Sequence, residues 1–387
     1  MRFLRGPAAL AAAAVFLGAV PAFSWEEPKV RVAILQDAES IRLTVPSACR
    51  LTDLKLGKPL ASWPDLKWQE VRAGNPGLRI GGIEIVSGAV VLEPSAGTVF
   101  RVNGLPYRWS LILRRTSKGR LTVINRLPLA EYLVGALTSE VSAGWPQEAL
   151  NAHAVVSRTM AAHRIWIRKD QEFDMTADTS THLYHGVTAE KARTRQAVEE
   201  TRGQVLAYGG ELFSASFHAN CGGHTEEAAE IWNTKQQIPP LAGVEDPYCR
   251  NLKHYRWKTA MTDMEFLRLL GGEAAAVGIL QEVAVEEINR SGRARAVRVR
   301  GYRGGLTLTG RQLREKLGAN RLRSLKFTVS AGPEKVLFEG YGWGHGVGFC
   351  QWGAFGMAHQ GKTMEEILAF YFPQAQKRTL KGLPGYS

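Results

Sequence analysis

The sequence predicts an α+β protein, with a β-rich N-terminal region, a mixed β core and a central pair of helices. Three observations carry that class. Hydrophobic residues make up 45% and charged residues 22% of the 387, which is enough apolar content for a packed core and too little charge for a disordered chain. The 40 glycines and 17 prolines imply many turns and short strands rather than long bundled helices. The hydrophobic period also switches from two residues to a helical repeat between Leu129 and Ile165, then back again. Collagen, coiled coil and polytopic membrane protein are excluded, and the length fits two domains or one large domain with an extension.

Taken in chain order, Arg2 and Arg5 precede the apolar run Ala8 to Val20. The run ends at Pro21-Ala22-Phe23-Ser24, with small residues three and one positions ahead of a cut before Trp25. This is the pattern of a secretory signal peptide over residues 1–24. The run is short for a bilayer span and no later segment qualifies, so the mature chain is expected to be exported, to a periplasm, a cell wall or the medium; an uncleaved N-terminal anchor is the alternative. The net charge of +13 calls for an anionic partner, and export makes nucleic acid an improbable one.

From Lys29 to about Asn125, short alternating runs such as Val30-Arg31-Val32-Ala33-Ile34 are separated by Gly, Pro and Asn, the signature of successive strands. Two helices follow, joined by Ser142-Ala143-Gly144-Trp145, with Pro146 in the first turn of the second, where its missing N–H is no loss. A third helix is expected over Thr188 to Thr201, then strands over Gln204 to Tyr208 and Leu212 to Phe217. Gln281 to Thr309 reads as an exposed hairpin turning at Ser291-Gly292, and its six arginines between Arg290 and Arg303 make a basic patch. Such runs are usually solvated faces and otherwise bind anions. A short helix over Arg311 to Leu317 stops at Gly318, and a last one begins at Thr363, where Thr363 and Glu366 form a capping box.

On the first central helix the apolar stripe is Leu129, Leu133, Ala136 and Leu137, and Glu140 falls on it. A carboxylate on such a face is partly desolvated, its pKa rises, and it can hold a proton for a leaving-group oxygen. On the second helix Arg158 shares a face with Ala154, Ala161 and Ala162, where it can orient a carboxylate or grip an anion. Periodicity leaves a structural Glu140–Arg158 salt bridge equally open.

Cys49 stands apart from the other cysteines. His218-Ala219-Asn220-Cys221-Gly222-Gly223-His224 offers His, Cys and His at three-residue spacing, ligand types that Zn(II) favours, with Cys249 or Cys350 available as a fourth. A Cys221–Cys249 disulfide and free thiols are the competing readings. Gly342-Trp343-Gly344-His345-Gly346-Val347-Gly348-Phe349-Cys350-Gln351-Trp352 lacks the lysine and hydroxyl of a phosphate loop and does not fit the dinucleotide fingerprint. Its glycines permit close backbone approach, and His345, Gln351 and the tryptophans suit a sugar; a tight structural turn is the alternative. The sequence contains neither a Gly-x-Ser-x-Gly elbow nor a His-Glu-x-x-His helix, which disfavours a serine hydrolase and a zincin.

In these segments the chain resembles the stage II sporulation protein D and amidase-enhancer (SpoIID/LytB) family. The resemblance covers about residues 100 to 375 and rests on ordered motifs: Pro128-Leu129-Ala130-Glu131-Tyr132-Leu133 with Glu140; Trp145-Pro146-Gln147-Glu148-Ala149-Leu150 running into Ala152 to Thr159; Cys221-Gly222-Gly223-His224-Thr225 with Trp232; Leu313-Arg314 with Leu317-Gly318; and Gly344-His345-Gly346-Val347-Gly348 with Gln351-Trp352-Gly353-Ala354. The resemblance implies a glycan-binding groove at the central helices and a lytic transglycosylase acting on peptidoglycan stripped of stem peptides. In that reading Glu140 is the catalytic acid and Arg158 is required beside it, with Trp145, Tyr184, His345 and Gln351 on the substrate. It also implies zinc at His218, Cys221 and His224 in some members. The resulting division is 1–24 signal peptide, 25–100 β-rich region, 101–375 SpoIID/LytB-like domain and 376–387 tail. The chain departs from the family pattern at His182-Leu183-Tyr184-His185-Gly186 and at Val141-Ser142. These departures keep open a non-catalytic reading, in which the protein binds glycan and stimulates a separate cell-wall amidase.

Overall fold

The computed structural model describes residues 27–178, 182–232, 237–332 and 335–386; the expected signal peptide lies outside them. Both helices and many strands are present, as the α+β class requires. Between Lys29 and Pro128 every regular element is a strand. The strand Leu121–Pro128 runs antiparallel between Lys29–Ala38 and Ser110–Arg115, and Ala89–Pro94, Cys49–Asp53 and Pro59–Trp63 extend that sheet in turn. A second, six-stranded sheet is built around Ser40–Val45 and Leu66–Ala73. Alternating residues bury Val30 and Val32 from the first sheet and Ile41, Leu43 and Val45 from the second, as period-2 patterning demands. The expected boundary after residue 100 falls within the strand Phe100–Val102. It divides no folded units, because the first sheet takes strands from both sides of it.

The core of these sheets continues into helix α1, Leu129–Glu140, through Leu129, Leu133 and Leu137. Helix α2, Gln147–Ile167, follows. Pro146 sits one position earlier than expected, at the N-cap of α2 with extended ψ of 141°, where no intrahelical bond is lost either. Both faces of α2 are covered: Ala154, Ala161 and Ala162 join the sheet core, while Ala152, Val155 and Val156 join a second core with Phe349, Ala354 and Tyr371. The helix before the next strand is shorter than expected, a 3-10 turn at Gly186–Ala189 and then α3, Ala192–Glu200, because Glu190 and Lys191 are extended. The expected strand Leu212 to Phe217 is broken. Only Glu211–Leu212 and Phe217–His218 pair, the latter in parallel with Phe349–Cys350.

Residues 256–341 carry a third core, including Trp257, Phe266, Val297, Leu313 and Phe338. The hairpin Leu280–Ile288 and Ala294–Gly301 turns where expected and gains a third strand, Gly304–Thr309. One face is buried, through Val283, Val297, Val299 and Leu308. Its basic patch is largely answered within the fold. Arg293 is buried, Arg298 pairs with Glu286 at 2.9 Å, Arg300 lies 3.4 Å from Glu282, and Arg295 pairs with Glu287 and Glu230. The capping box at Thr363 and Glu366 opens the helix Met364–Tyr371 as its sequence dictates. A helix over Gln351–His359, hidden in the glycine-rich segment, is capped by Cys350, whose sulfur accepts the Gly353 N–H. Among the described residues no helix is long and apolar enough to cross a membrane.

Candidate functional site

Parallel pairing of Phe217–His218 with Phe349–Cys350 brings two glycine-containing segments, 216–224 and 342–353, together beside the C-terminal end of α1. The approach is closer than side chains would allow. A Cβ on Gly344, whose φ is +117°, would lie 2.7 Å from that of His218, and one on Gly346, at φ +86°, would strike the Arg293 guanidinium, so glycine is required at both. Between these segments and the helices lies a groove of about 570 Å³. Glu140 and Leu183 line it with Arg164 and Met160 of α2, His218 and Phe217, and Trp232, Trp343, His345 and Gln351.

Glu140 is the one carboxylate on the groove wall among the described residues. Burial pushes its pKa above the ordinary carboxylate value, against a smaller downward pull from the Leu183 N–H, which donates to Oε1 at 3.1 Å, and from the Gln351 amide. The Gln351 Nε2 is 3.0 Å from Nε2 of His153, whose Nδ1 is 3.1 Å from the Ser157 hydroxyl. Burial lowers the His153 pKa to about 3, so its ring is neutral. A neutral ring with Nδ1–H toward Ser157 accepts at Nε2, and this fixes the Gln351 amide nitrogen toward His153 and Glu140. His182, beside Glu140's partner Leu183, is likewise neutral, with a pKa lowered to about 3 by burial. It bonds Tyr132 at 2.9 Å and stacks on Phe217.

His345 and Gln351 are thus placed in the groove as expected, and His345 has a pKa lowered by burial to about 4. Three expected groove residues are elsewhere. Arg158 is fully buried and donates to the Thr201 hydroxyl and to the carbonyls of Val198 and Gln204. It ties α2 to α3 and the next strand, it does not pair with Glu140, and its charge faces Glu27. A helix covered on both faces buries even its arginine, an outcome periodicity on one helix does not distinguish from a groove position. Trp145 packs in an aromatic cluster with Trp352 and Phe355 at centroid distances of 5.0 and 5.2 Å. Tyr184 is core: its ring packs at a tilt against Tyr132, and its hydroxyl donates to Asn125 at 2.9 Å. In their place stand Arg164, six residues beyond Arg158 on α2, and Leu183, adjacent to Tyr184. Trp343, fixed by an edge contact from His254 and by Arg323 over its ring at 4.8 Å, and Trp232 supply aromatic faces.

The expected metal set His218, Cys221 and His224 is not brought together. His218 lines the groove with Nδ1 on the Val347 carbonyl at 3.1 Å, and His224 turns to the Thr225 carbonyl. Cys221 points the other way. Its sulfur is 3.4 Å from that of Cys249 and 3.1 Å from Oδ2 of Asp246, and with Cys350 these groups form one buried cluster. None of the four cysteines, including the separate Cys49, is joined in a disulfide in the structure. Asp246 carried no signal in the sequence, since it stands 25 residues from Cys221. A further cavity of about 550 Å³ lies at Trp109, Arg108 and Arg126, but its arginines are answered by Glu190 and Glu93.

A family profile described as Stage II sporulation protein matches residues 117–208, and one described as a domain of unknown function matches residues 230–348. An uncharacterized protein of Brachyspira hyodysenteriae is 32% identical over 76% of this chain and 78% of its own. Stage II sporulation protein D of Bacillus subtilis is 30% identical over 65% of this chain and 75% of its own. The Amidase enhancer of Bacillus subtilis is 25% identical over 62% of this chain, which spans only 39% of that protein.

Proposed function

Because the chain belongs to the stage II sporulation protein D family, we propose that it acts outside the cell membrane on peptidoglycan glycan strands as a lytic transglycosylase, with Glu140 as acid and then base. The observation that carries this reading is the one shielded carboxylate, among the described residues, in a groove walled by tryptophans and neutral histidines. A glycoside hydrolase normally sets two carboxylates across the scissile bond. One carboxylate suffices when the nucleophile is internal to the substrate. Protonated Glu140 delivers its proton to the glycosidic oxygen as the bond to C1 breaks. The resulting carboxylate takes the proton of the muramic acid C6 hydroxyl as O6 closes on C1, which leaves a 1,6-anhydro end and restores the acid without consuming water.

The surrounding residues support each step. Burial raises the pKa of the acid and so favours its protonated form, the Gln351 and Leu183 hydrogen bonds stabilise the carboxylate formed midway, and Trp343 and Trp232 offer faces to sugar rings. Arg164, the one arginine on the wall among the described residues, suits the lactyl carboxylate of muramic acid.

A second reading is favoured by the resemblance to the Amidase enhancer: the same groove holds glycan without cutting it and accelerates a separate amidase. Mass spectrometry of denuded glycan incubated with the purified protein tests both. Anhydro-ended saccharides are expected. Binding without new ends would overturn the enzymatic reading in favour of the second, and new reducing ends would replace it with hydrolysis.

A further inference from the structure

We infer that Cys221, Asp246, Cys249 and Cys350 form a tetrahedral site for one structural zinc ion, on the far side of the Cys221 loop from the groove. The ligand atoms of all four lie within 4.8 Å of one another and all four residues are buried. Zinc with Zn–S bonds of about 2.3 Å sets its ligand atoms about 3.5–3.8 Å apart, close to the 3.4 Å between the sulfurs of Cys221 and Cys249 and the 3.1 Å from Cys221 sulfur to Asp246 Oδ2.

The surroundings are those of ligands already oriented. Asp246 Oδ1 accepts the backbone N–H of Tyr248 at 2.8 Å and of Cys249 at 3.3 Å, which turns Oδ2 toward the sulfurs. There the Tyr371 hydroxyl donates to it at 3.0 Å. The sulfur of Cys350 accepts two backbone N–H groups, from Cys221 at 3.2 Å and from Gly353 at 3.3 Å. Such bonds hold a metal-bound thiolate in place. A Cβ on Gly353 would collide with Asp246 and Tyr371, so the glycine keeps this space open. Buried Arg293 donates to the Cys221 carbonyl at 2.8 Å, and Lys326 donates to that of Gly222 at 3.0 Å. These cations offset the negative charge left when the ion displaces three thiol protons to solvent.

Three thiols cannot all be satisfied by one disulfide, whereas a single ion satisfies the three sulfurs and the carboxylate together. The ion would join three segments: the loop after Phe217–His218, the 246–249 turn and Cys350 at the start of the Gln351–His359 helix. Cys350 directly precedes Gln351, so the ion would also steady the amide that bonds Glu140. This site differs from the His218, Cys221, His224 set, and it stands whether or not the groove cleaves glycan.

The test is elemental analysis of the full chain purified without chelator, together with thiol titration before and after a zinc chelator. The expected result is one zinc per chain, with Cys221, Cys249 and Cys350 unreactive until chelation. Cobalt(II) exchanged into the site should give the sulfur-to-cobalt charge-transfer bands of a tetrahedral thiolate centre, a readout that needs no variant to fold. Asp246→Asn and Cys249→Ser should lower zinc retention at least tenfold, whereas His218→Gln and His224→Gln should keep it. Folded protein without zinc, carrying either a Cys221–Cys249 disulfide or reactive thiols throughout, would overturn the proposal. So would zinc lost from His218→Gln and retained by Asp246→Asn.

Discussion

The side-chain amide of Gln351 lies 3.0 Å from Nε2 of His153, a ring fully enclosed by the protein. That contact joins two segments 198 residues apart and fixes which end of the amide faces Glu140. Removing the Gln351 hydrogen bond takes away one of the two forces that lower the Glu140 pKa. Gln351→Leu should therefore move the descending limb of the pH–rate profile to higher pH while reducing the maximal rate. A profile that stays in place would show that Gln351 does not reach the acid during turnover.

Glu140→Gln leaves a side chain of the same shape that cannot donate a proton. Release of anhydro-ended saccharides should fall by about 10²–10⁴-fold, the ordinary worth of a general acid, with the thermal unfolding midpoint unchanged or raised, because a buried ionisable group has been neutralised. In the wild type, turnover should decline as pH rises through the raised Glu140 pKa, since the acid must begin protonated.

Arg158 should behave as a structural residue. Its three buried acceptors, the Thr201 hydroxyl and the carbonyls of Val198 and Gln204, would lose a charged donor in Arg158→Met, at a cost of about 3 kcal/mol or more. Chemical denaturation should show that loss, while the folded fraction keeps its affinity for glycan. A normal stability with lost binding would return Arg158 to the groove.

His153 and His182 make stability depend on acid. Both are neutral when folded, with pKa values lowered by burial from 6.5 to about 3. The unfolded chain therefore takes up protons first as pH falls. Their contribution is complete above about pH 6.5 and is lost toward pH 3, at about 1.4 kcal/mol per pH unit for each ring. Denaturation midpoints measured from pH 8 to 4 should be flat and then fall, and His182→Phe should reduce the slope.

Trp343 is held by His254 and Arg323 before any ligand arrives. Trp343→Ala should weaken binding of glycan fragments by about tenfold, in line with about 1.5 kcal/mol of stacking, with little change in fold stability because the ring is partly exposed. Calorimetric titration with a soluble glycan oligomer would measure it.

Local pattern was sufficient for the α+β class, the strand-rich start, the two central helices, the 280–301 hairpin and the Thr363 capping box, because each depends on neighbours a few residues apart. It also singled out Glu140 as a carboxylate on an apolar stripe, which is legible within one helix; the fold places it on the groove wall with a pKa raised by burial. Tertiary structure decided the rest. Arg158 went to the interior because α2 is covered on both faces by different cores, and Arg164 took the groove. Cys221 turned from its histidine neighbours to Asp246, Cys249 and Cys350, partners up to 129 residues away. Parallel pairing of two-residue strands, which leaves almost no periodic trace, placed the glycine segments side by side. One-dimensional spacing reports which face of its own element a residue shares. It does not report which other element covers that face, and here that covering separates a buried structural arginine from a groove residue and a buried cluster of thiols from a groove histidine.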